Sequence, residues 1–237
     1  MKILIIGRGN VGLNLENAFR QKGIDVNAVS SRECLAELPK TADVYIYAVR
    51  DSALREVVSR VSVQPRALHL HTSGTMPIDV FGEDKPHAGI FYPFQTFSKE
   101  RMVDFSEVPV FIEARGIDDI SAVYTLALSI TNRVYEVTQQ DREKLHLAGV
   151  LVNNFPNYLY HMAYELLKGT HVPFKALFPL MEETLRKLHT LTPQEAQTGP
   201  ARRHDTNVMQ HHLSLLPEDE QQQIYRILSD AIAKKYQ

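Results

Sequence analysis

Gly7-Arg8-Gly9-Asn10-Val11-Gly12 has the spacing G-x-G-x-x-G, a pattern whose chemistry is the cradling of a pyrophosphate by backbone. It follows the apolar run Ile3 to Ile6 and opens an amphipathic stretch, which is where such a loop has to stand in order to work. Gly7 allows the tight turn, Gly9 lets the backbone approach an anion, and Gly12 lets the helix pack close to the strand. The helix start then offers free N–H groups and a positive dipole end. Arg8, Asn10 and Val11 complete the loop expected to contact a dinucleotide.

Which dinucleotide is decided at the end of the second strand, where an Asp or Glu about 20 residues on would hold the ribose hydroxyls of NAD. No acid stands there. The run ends Ala28-Val29-Ser30-Ser31-Arg32, giving two hydroxyls and a guanidinium whose fork suits a 2′-phosphate. Ser30, Ser31 and Arg32 therefore point to NADP(H), with Glu33 following as the one nearby carboxylate. Val49, Arg50 and Thr72, at or just past the ends of strands, are expected to complete the cofactor-binding set.

Ligands of open α/β sheets sit beyond the carboxyl ends of the strands, and this selects the candidates for chemistry. His71 in His71-Thr72-Ser73-Gly74 could protonate or orient a carbonyl or imine. Tyr92 could donate a proton, although its reference pKa near 10 makes it a weaker acid than histidine. His69 reads as a packed side chain and Asp51 as a helix cap. On a later helix His146, Gly149, Asn153, Asn154 and Asn157 recur at helical separations and share one face, which makes His146 and Asn153 candidates for substrate binding and proton delivery. Pro156 is expected to kink or break that helix. Arg203 could fork onto a carboxylate or phosphate, and Asp205 or Thr206 could cap the helix after it. The spacing of His204, His211 and His212 does not put three ligands on one side, so no metal site is expected.

These residues need a frame, and the hydrophobic pattern supplies one. Short β-branched runs at Ile3 to Ile6, Asp25 to Ser30 and Val44 to Val49 each precede a helical segment, which argues for parallel strands with crossover helices. Further strands are expected at Ala67 to His71, Ala88 to Phe91, Pro109 to Glu113 and Val134 to Glu136, with a helix near Ile117 to Ser129. From Gln140 onward only helical spacing appears: Asp141 to Lys168, Pro173 to His189, Asn207 to Leu216 and Pro217 to Lys235, with Pro193 to Arg203 as a loop. The fold class is α/β: an N-terminal Rossmann dinucleotide-binding domain over residues 1–138 and a C-terminal all-α domain over 139–237.

Composition narrows the setting. A chain of 237 residues with 44% hydrophobic content and a net charge of -2 is globular and lacks the basic field that would gather nucleic acid or anionic lipid. No apolar run approaches the ~20 residues of a membrane span, and the first apolar stretch ends at Gly7, too early for a signal peptide. Cys34 is the single cysteine, so no intrachain disulfide can form and a reducing compartment, the cytoplasm, is expected.

The glycine loop, Ser30-Ser31-Arg32, His71-Thr72-Ser73-Gly74, Tyr92-Pro93-Phe94-Gln95-Thr96-Phe97, Thr198-Gly199-Pro200, Arg203-His204-Asp205 and His212-Leu213 together resemble a bacterial family of proposed NADP oxidoreductases. Its Rossmann domain is like that of deazaflavin-dependent NADP reductase and pyrroline-5-carboxylate reductase. Its helical domain, of unknown function, is like the C-terminal domain of 6-phosphogluconate dehydrogenase. The resemblance covers nearly the whole chain and departs at Tyr92-Pro93, where many relatives carry His-Pro, and at Arg203-His204-Asp205, where many carry Arg-Gly-Asp. It implies a helical domain that serves dimerisation, hence a homodimer, and supplies no substrate; the residues themselves point to hydride transfer between NADPH and a small carbonyl, imine or deazaflavin-type substrate. The other function class is a non-catalytic NADP(H)-responsive binding protein.

Overall fold

The structure is a computed structural model that describes residues 1–32, 41–62, 66–217 and 219–236. Glu33 and Cys34, and any reading that rests on them, lie outside the described residues. The chain divides into two compact units, Met1–Asn153 and Asn154–Gln237.

In the first unit the described strands form one seven-stranded sheet, β1 (Lys2–Ile6), β2 (Asp25–Val29), β3 (Val44–Tyr47), β4 (Leu68–His71), β5 (Ala88–Pro93), β6 (Val110–Ala114) and β7 (Val134–Glu136), in the order β2-β1-β3-β4-β5-β6-β7. Strands β1 to β5 pair in parallel, and β2 and β3 flank β1 on opposite sides. The chain therefore reverses its direction of travel across the sheet at β1. Such a reversal opens a crevice at the carboxyl ends of the strands. Side chains alternate across the pleat, so Ile3 and Ile5 join one buried cluster with Leu15 and Phe19, while Leu4 and Ile6 join another with Leu54 and Val57. The first cluster is covered by α1 (Asn10–Gln21) and α3 (Ile117–Leu128), the second by α2 (Asp51–Arg60) and a 3₁₀ turn, Ile78–Phe81. Burial on both faces is why these strands read as nearly continuous apolar runs.

One pairing departs from the parallel expectation, since β6 runs antiparallel to β5. The connection between them holds only a 3₁₀ turn at Phe105–Glu107. Without a helix to carry the chain back across a sheet face, residues 94–109 stay at the rim where β5 ends and β6 begins. That rim also bears the glycine loop.

The first unit ends with α4 (Gln139–Gly149) and most of a π turn, Val150–Asn154, whose last residue opens the second. In the second unit α5 (Phe155–Leu167) starts with Pro156, whose missing N–H is tolerated in a first turn. There follow α6 (Phe178–Lys187), α7 (Pro193–Ala196), α8 (Thr206–Leu215) and α9 (Glu220–Lys235). The loop expected over Pro193 to Arg203 contains α7, a single turn fixed by a capping box between Thr192 and Glu195. Asp205 caps α8, accepting a hydrogen bond from the Val208 N–H. Among the described residues no helix is long and apolar enough to cross a membrane.

The two outer glycines of the loop are fixed by packing. A Cβ on Gly12 would stand 1.9 Å from the Gly7 carbonyl oxygen, whereas a Cβ on Gly9 would meet nothing within 4 Å. Gly12→Ala is therefore expected to lower stability by about 1–3 kcal/mol as α1 is pushed off β1, while Gly9→Ala stays within about 0.5 kcal/mol of the parent. Urea unfolding of the two variants checks this. Equal losses would show that the distinction between packing and ligand-facing glycines is wrong.

Candidate active site

A cleft of about 1220 Å³ runs along the carboxyl ends of the first strands, walled entirely by residues of the first unit. At one end stand Gly7, Arg8, Gly9, Asn10 and Val11. Gly7 has φ 127°, a conformation open to glycine, and a Cβ there would lie 2.1 Å from the Ala48 carbonyl oxygen. Gly9 is the N-cap of α1 with no side-chain cap, so the first-turn N–H groups are left to another acceptor. Gly12 does not line the cleft, and its missing Cβ admits the Gly7 carbonyl.

Ser30, Ser31 and Arg32 line the cleft at the end of β2, and Val49 and Arg50 at the end of β3. The Ser30 hydroxyl accepts the Arg32 N–H at 3.2 Å, drawing the hydroxyl and the guanidinium-bearing residue into one turn. Arg50, not Asp51, is the N-cap of α2. Asp51 accepts the Thr75 hydroxyl at 2.6 Å and so ties the loop after β4 to α2. The lining also holds Glu56, Arg60 and Lys99, which the motif reading does not select.

The other end is formed by Thr72, Ser73 and Gly74, Tyr92 and His146. The Tyr92 hydroxyl lies 3.0 Å from His146 Nδ1. Gly74 makes the pairing possible, since a Cβ there would stand 2.6 Å from that same nitrogen. Burial pushes the Tyr92 phenol up to about 12, against the opposing pull of Arg142, so it carries its proton throughout the physiological range. If the phenol donates to Nδ1, the His146 Nε2 carries the ring hydrogen; if Nδ1–H donates, the phenolic hydrogen is free for another acceptor. Either arrangement leaves the pair one uncommitted donor.

His71 is placed differently from the sequence expectation. Its ring is fully buried and stacks on Phe81 with centroids 5.6 Å apart. Nδ1 accepts the Ser73 N–H at 3.2 Å and Nε2 stands 3.4 Å from the Pro77 carbonyl. The β4 alternation that puts Leu70 in one core turns His71 into the aromatic layer of the other, beneath the cleft floor. Of the residues expected to handle a proton, Tyr92 and His146 are the ones that line the cleft. His69 is a packed side chain, stacked on Tyr45 and 3.0 Å from the Tyr47 hydroxyl. Asn153 is exposed within the π turn and does not line the cleft. The wider π turn breaks the 3.6-residue spacing that aligned Asn153 with His146. Arg203 is exposed in the second unit, its N–H bonded to the Pro200 carbonyl.

Arg142, on α4, carries no motif yet holds the site. It is completely buried, donating to the Ser73 carbonyl at 3.0 Å and to Glu113 at 3.2 Å. Among the described residues no group of three or more His, Cys, Asp or Glu could hold a metal ion.

Burial, helped by the nearby Arg142 charge, depresses the His71 pKa from 6.5 to about 4. The unfolded chain then binds a proton near pH 6.5 that the folded chain refuses, so stability is lost as pH falls from about 6.5 toward 4. Between pH 7 and pH 5 the wild type is expected to lose about 2 kcal/mol more than His71→Asn. Urea unfolding at both pH values measures this, and identical losses would contradict a buried neutral imidazole.

The family model described as a domain of unknown function, DUF2520, matches residues 108–232. In structure the chain is similar to a proposed NADP oxidoreductase from Bacteroides fragilis, 39% identical, with 98% of each chain covered and a TM-score of 0.89. It is similar to a protein from Thermotoga maritima at 16% identity, with 99% of each chain covered and a TM-score of 0.77. A third similarity is to an imine reductase from Myxococcus stipitatus in complex with NADP+, 14% identical, covering 99% of this chain and 92% of that chain, with a TM-score of 0.68. The last two likenesses show the fold alone. A comparison with curated proteins gives no match.

Proposed function

We start from a chain that belongs to the family of the domain of unknown function DUF2520, and we propose that it is an NADP(H)-dependent oxidoreductase. Its substrate class is a small carbonyl, imine or deazaflavin-type acceptor, and it works in the cytoplasm as a homodimer. The observation that carries this is one cleft with a dinucleotide cradle at one end and a proton-bearing Tyr92–His146 pair at the other. The cradle fits the group: the face of Gly9 is open, the first turn of α1 is uncapped, and Ser30, Ser31 and Arg32 line the cleft at the end of β2, offering hydroxyls and a guanidinium to a 2′-phosphate. Bound there, the nicotinamide would supply the hydride that the acceptor carbon takes up.

The chain's own residues do the remaining work. Thr72 and the backbone of Ser73 and Gly74 orient the reacting groups, and Arg142 keeps that backbone in place through the Ser73 carbonyl. Tyr92 or His146 delivers the proton that the acceptor oxygen or nitrogen needs once its carbon has taken the hydride. The Bacteroides fragilis relative supports the reading by its description as an NADP oxidoreductase.

Wild type is expected to bind NADPH more tightly than NADH, and Arg32→Ala to weaken NADPH alone by about 10- to 150-fold, the worth of one charge-assisted phosphate pair. NADPH oxidation across aldehydes, ketones, imines and deazaflavin would find the acceptor, and Tyr92→Phe should slow it by at least about tenfold with cofactor affinity kept. Equal affinity for the two cofactors would sink the NADP assignment. Tight NADPH binding with no turnover on the whole panel would favour the non-catalytic, NADP(H)-responsive binding protein.

The dimer rests on the second unit. Among its described residues only Ala201 and Leu213 are buried apolar side chains, while Phe155 is 56%, Leu180 68% and Ile227 67% exposed. Helices that leave this much apolar surface uncovered call for a partner. Light scattering at micromolar concentration should give twice the 27.0 kDa of one chain; a monomer mass would refute the dimer.

A further inference from the structure

We propose that Lys99 is a ligand of the cofactor's diphosphate, presented on a strap that α1 holds at the rim of the cleft. The proposal rests on the dinucleotide reading above and adds a residue that no motif selects.

The strap is the stretch around residues 97–103 of the β5–β6 connection, kept at the rim because those two strands are antiparallel. Two asparagines of α1 pin it. The Asn10 amide donates to the Phe97 carbonyl at 2.9 Å. Asn14, only 1% exposed, donates to the Ser98 carbonyl at 2.9 Å and accepts the Val103 N–H at 3.1 Å. Phe97 also stacks on Phe105, with centroids 5.7 Å apart and rings 17° from parallel. The backbone on both sides of Lys99 is thereby fixed to the helix whose first turn faces the glycine loop.

Lys99 lines the same cleft as Gly9 and Asn10. Its side chain is exposed, and no ion pair among the described residues engages its ammonium. The acidic residues of the lining are engaged elsewhere: Glu56 faces Arg60 at 3.6 Å and Asp51 accepts from Thr75. An uncapped helix start offers N–H donors and about half a positive charge. A diphosphate carries two negative charges, more than a helix start balances, and the Lys99 ammonium, lining the same cleft, would add a mobile point charge to that of Arg8. The 2′-phosphate is a different address, because Ser30, Ser31 and Arg32 stand at the end of β2 while the strap is pinned to α1.

The two addresses can be separated because NADH and NADPH share the diphosphate and differ in the 2′-phosphate. NADPH and NADH are titrated by nicotinamide fluorescence into the full-length wild type, Lys99→Gln, Lys99→Glu and Arg32→Ala, at low and high ionic strength. Lys99→Gln should weaken both cofactors by the same factor, about 5- to 20-fold at low salt. Lys99→Glu should weaken both further, and the losses should shrink as salt screens the charge. Arg32→Ala should weaken NADPH alone. A Lys99→Gln protein within about twofold of wild type for both cofactors, or weakened for NADPH only, overturns the proposal while leaving the functional reading intact. A wild type that binds neither dinucleotide overturns both.

Discussion

The close approach of α1 to the turn after β1 sets the geometry of the rim. With a Cβ on Gly12 excluded by the Gly7 carbonyl, and one on Gly7 excluded by the Ala48 carbonyl, helix, turn and β3 lie within backbone contact. That contact aims the first turn of α1 into the cleft and brings Asn10 and Asn14 to the height where they reach the strap. The glycines thus act at two ranges: locally by admitting a backbone, and across the rim by fixing the helix from which the β5–β6 connection is hung.

The opposite end of the cleft depends on a buried charge. Arg142 joins three elements, since its guanidinium meets the carbonyl of Ser73 after β4 and the carboxylate of Glu113 on β6 while its backbone belongs to α4. A guanidinium taken fully out of water is costly unless it meets acceptors, and among the described residues Nη1 and Nη2 meet the Ser73 carbonyl and Glu113 while the buried Nε has no partner. Its position therefore dictates where Ser73 and Gly74 run, and Gly74 in turn seats the His146 ring. The same charge opposes protonation of His71 and eases ionisation of Tyr92. The electrostatics of the proton-bearing end are thus partly written from beneath it.

The sheet was legible because parallel strands buried on both faces leave apolar runs, and the cofactor loop because its glycines carry a steric requirement. The direction of β6 was not legible, since its short run with Val110 and Ile112 buried on one face reads the same in either direction; the signal lay in the helix-free stretch before it. His71 misleads because strand position gives the rim but not the face, and the face is decided by Phe81 and the 3₁₀ turn that brings it there. Asn153 misleads because a π turn leaves no composition signature. Arg142 and Lys99 stay hidden for opposite reasons. A charged residue on a helix ordinarily reads as solvent-facing, and a lysine in a polar loop gains meaning only when the strap is seen pinned to α1.

The chemistry open to the Tyr92–His146 pair follows from its pKa setting. A phenol held near 12 does not surrender its proton to a neutral carbonyl, whose oxygen is a very weak base. It can surrender it to an alkoxide or to a developing amine nitrogen, groups that exist only after the carbon has accepted a hydride. In the proposed reaction Tyr92 would therefore hydrogen-bond the substrate at the start and protonate it late. The neighbouring imidazole, 3.0 Å away, stabilises the phenolate as the proton leaves and offers a route for its replacement. Substituting histidine for Tyr92 would move the donor's ordinary pKa from about 10 to about 6.5. Proton transfer could then run ahead of the hydride, but below neutral pH the ring would become a cation, and the Arg142 charge already opposes a cationic imidazole at His71. Tyrosine thus trades acid strength for a neutral group beside a buried guanidinium.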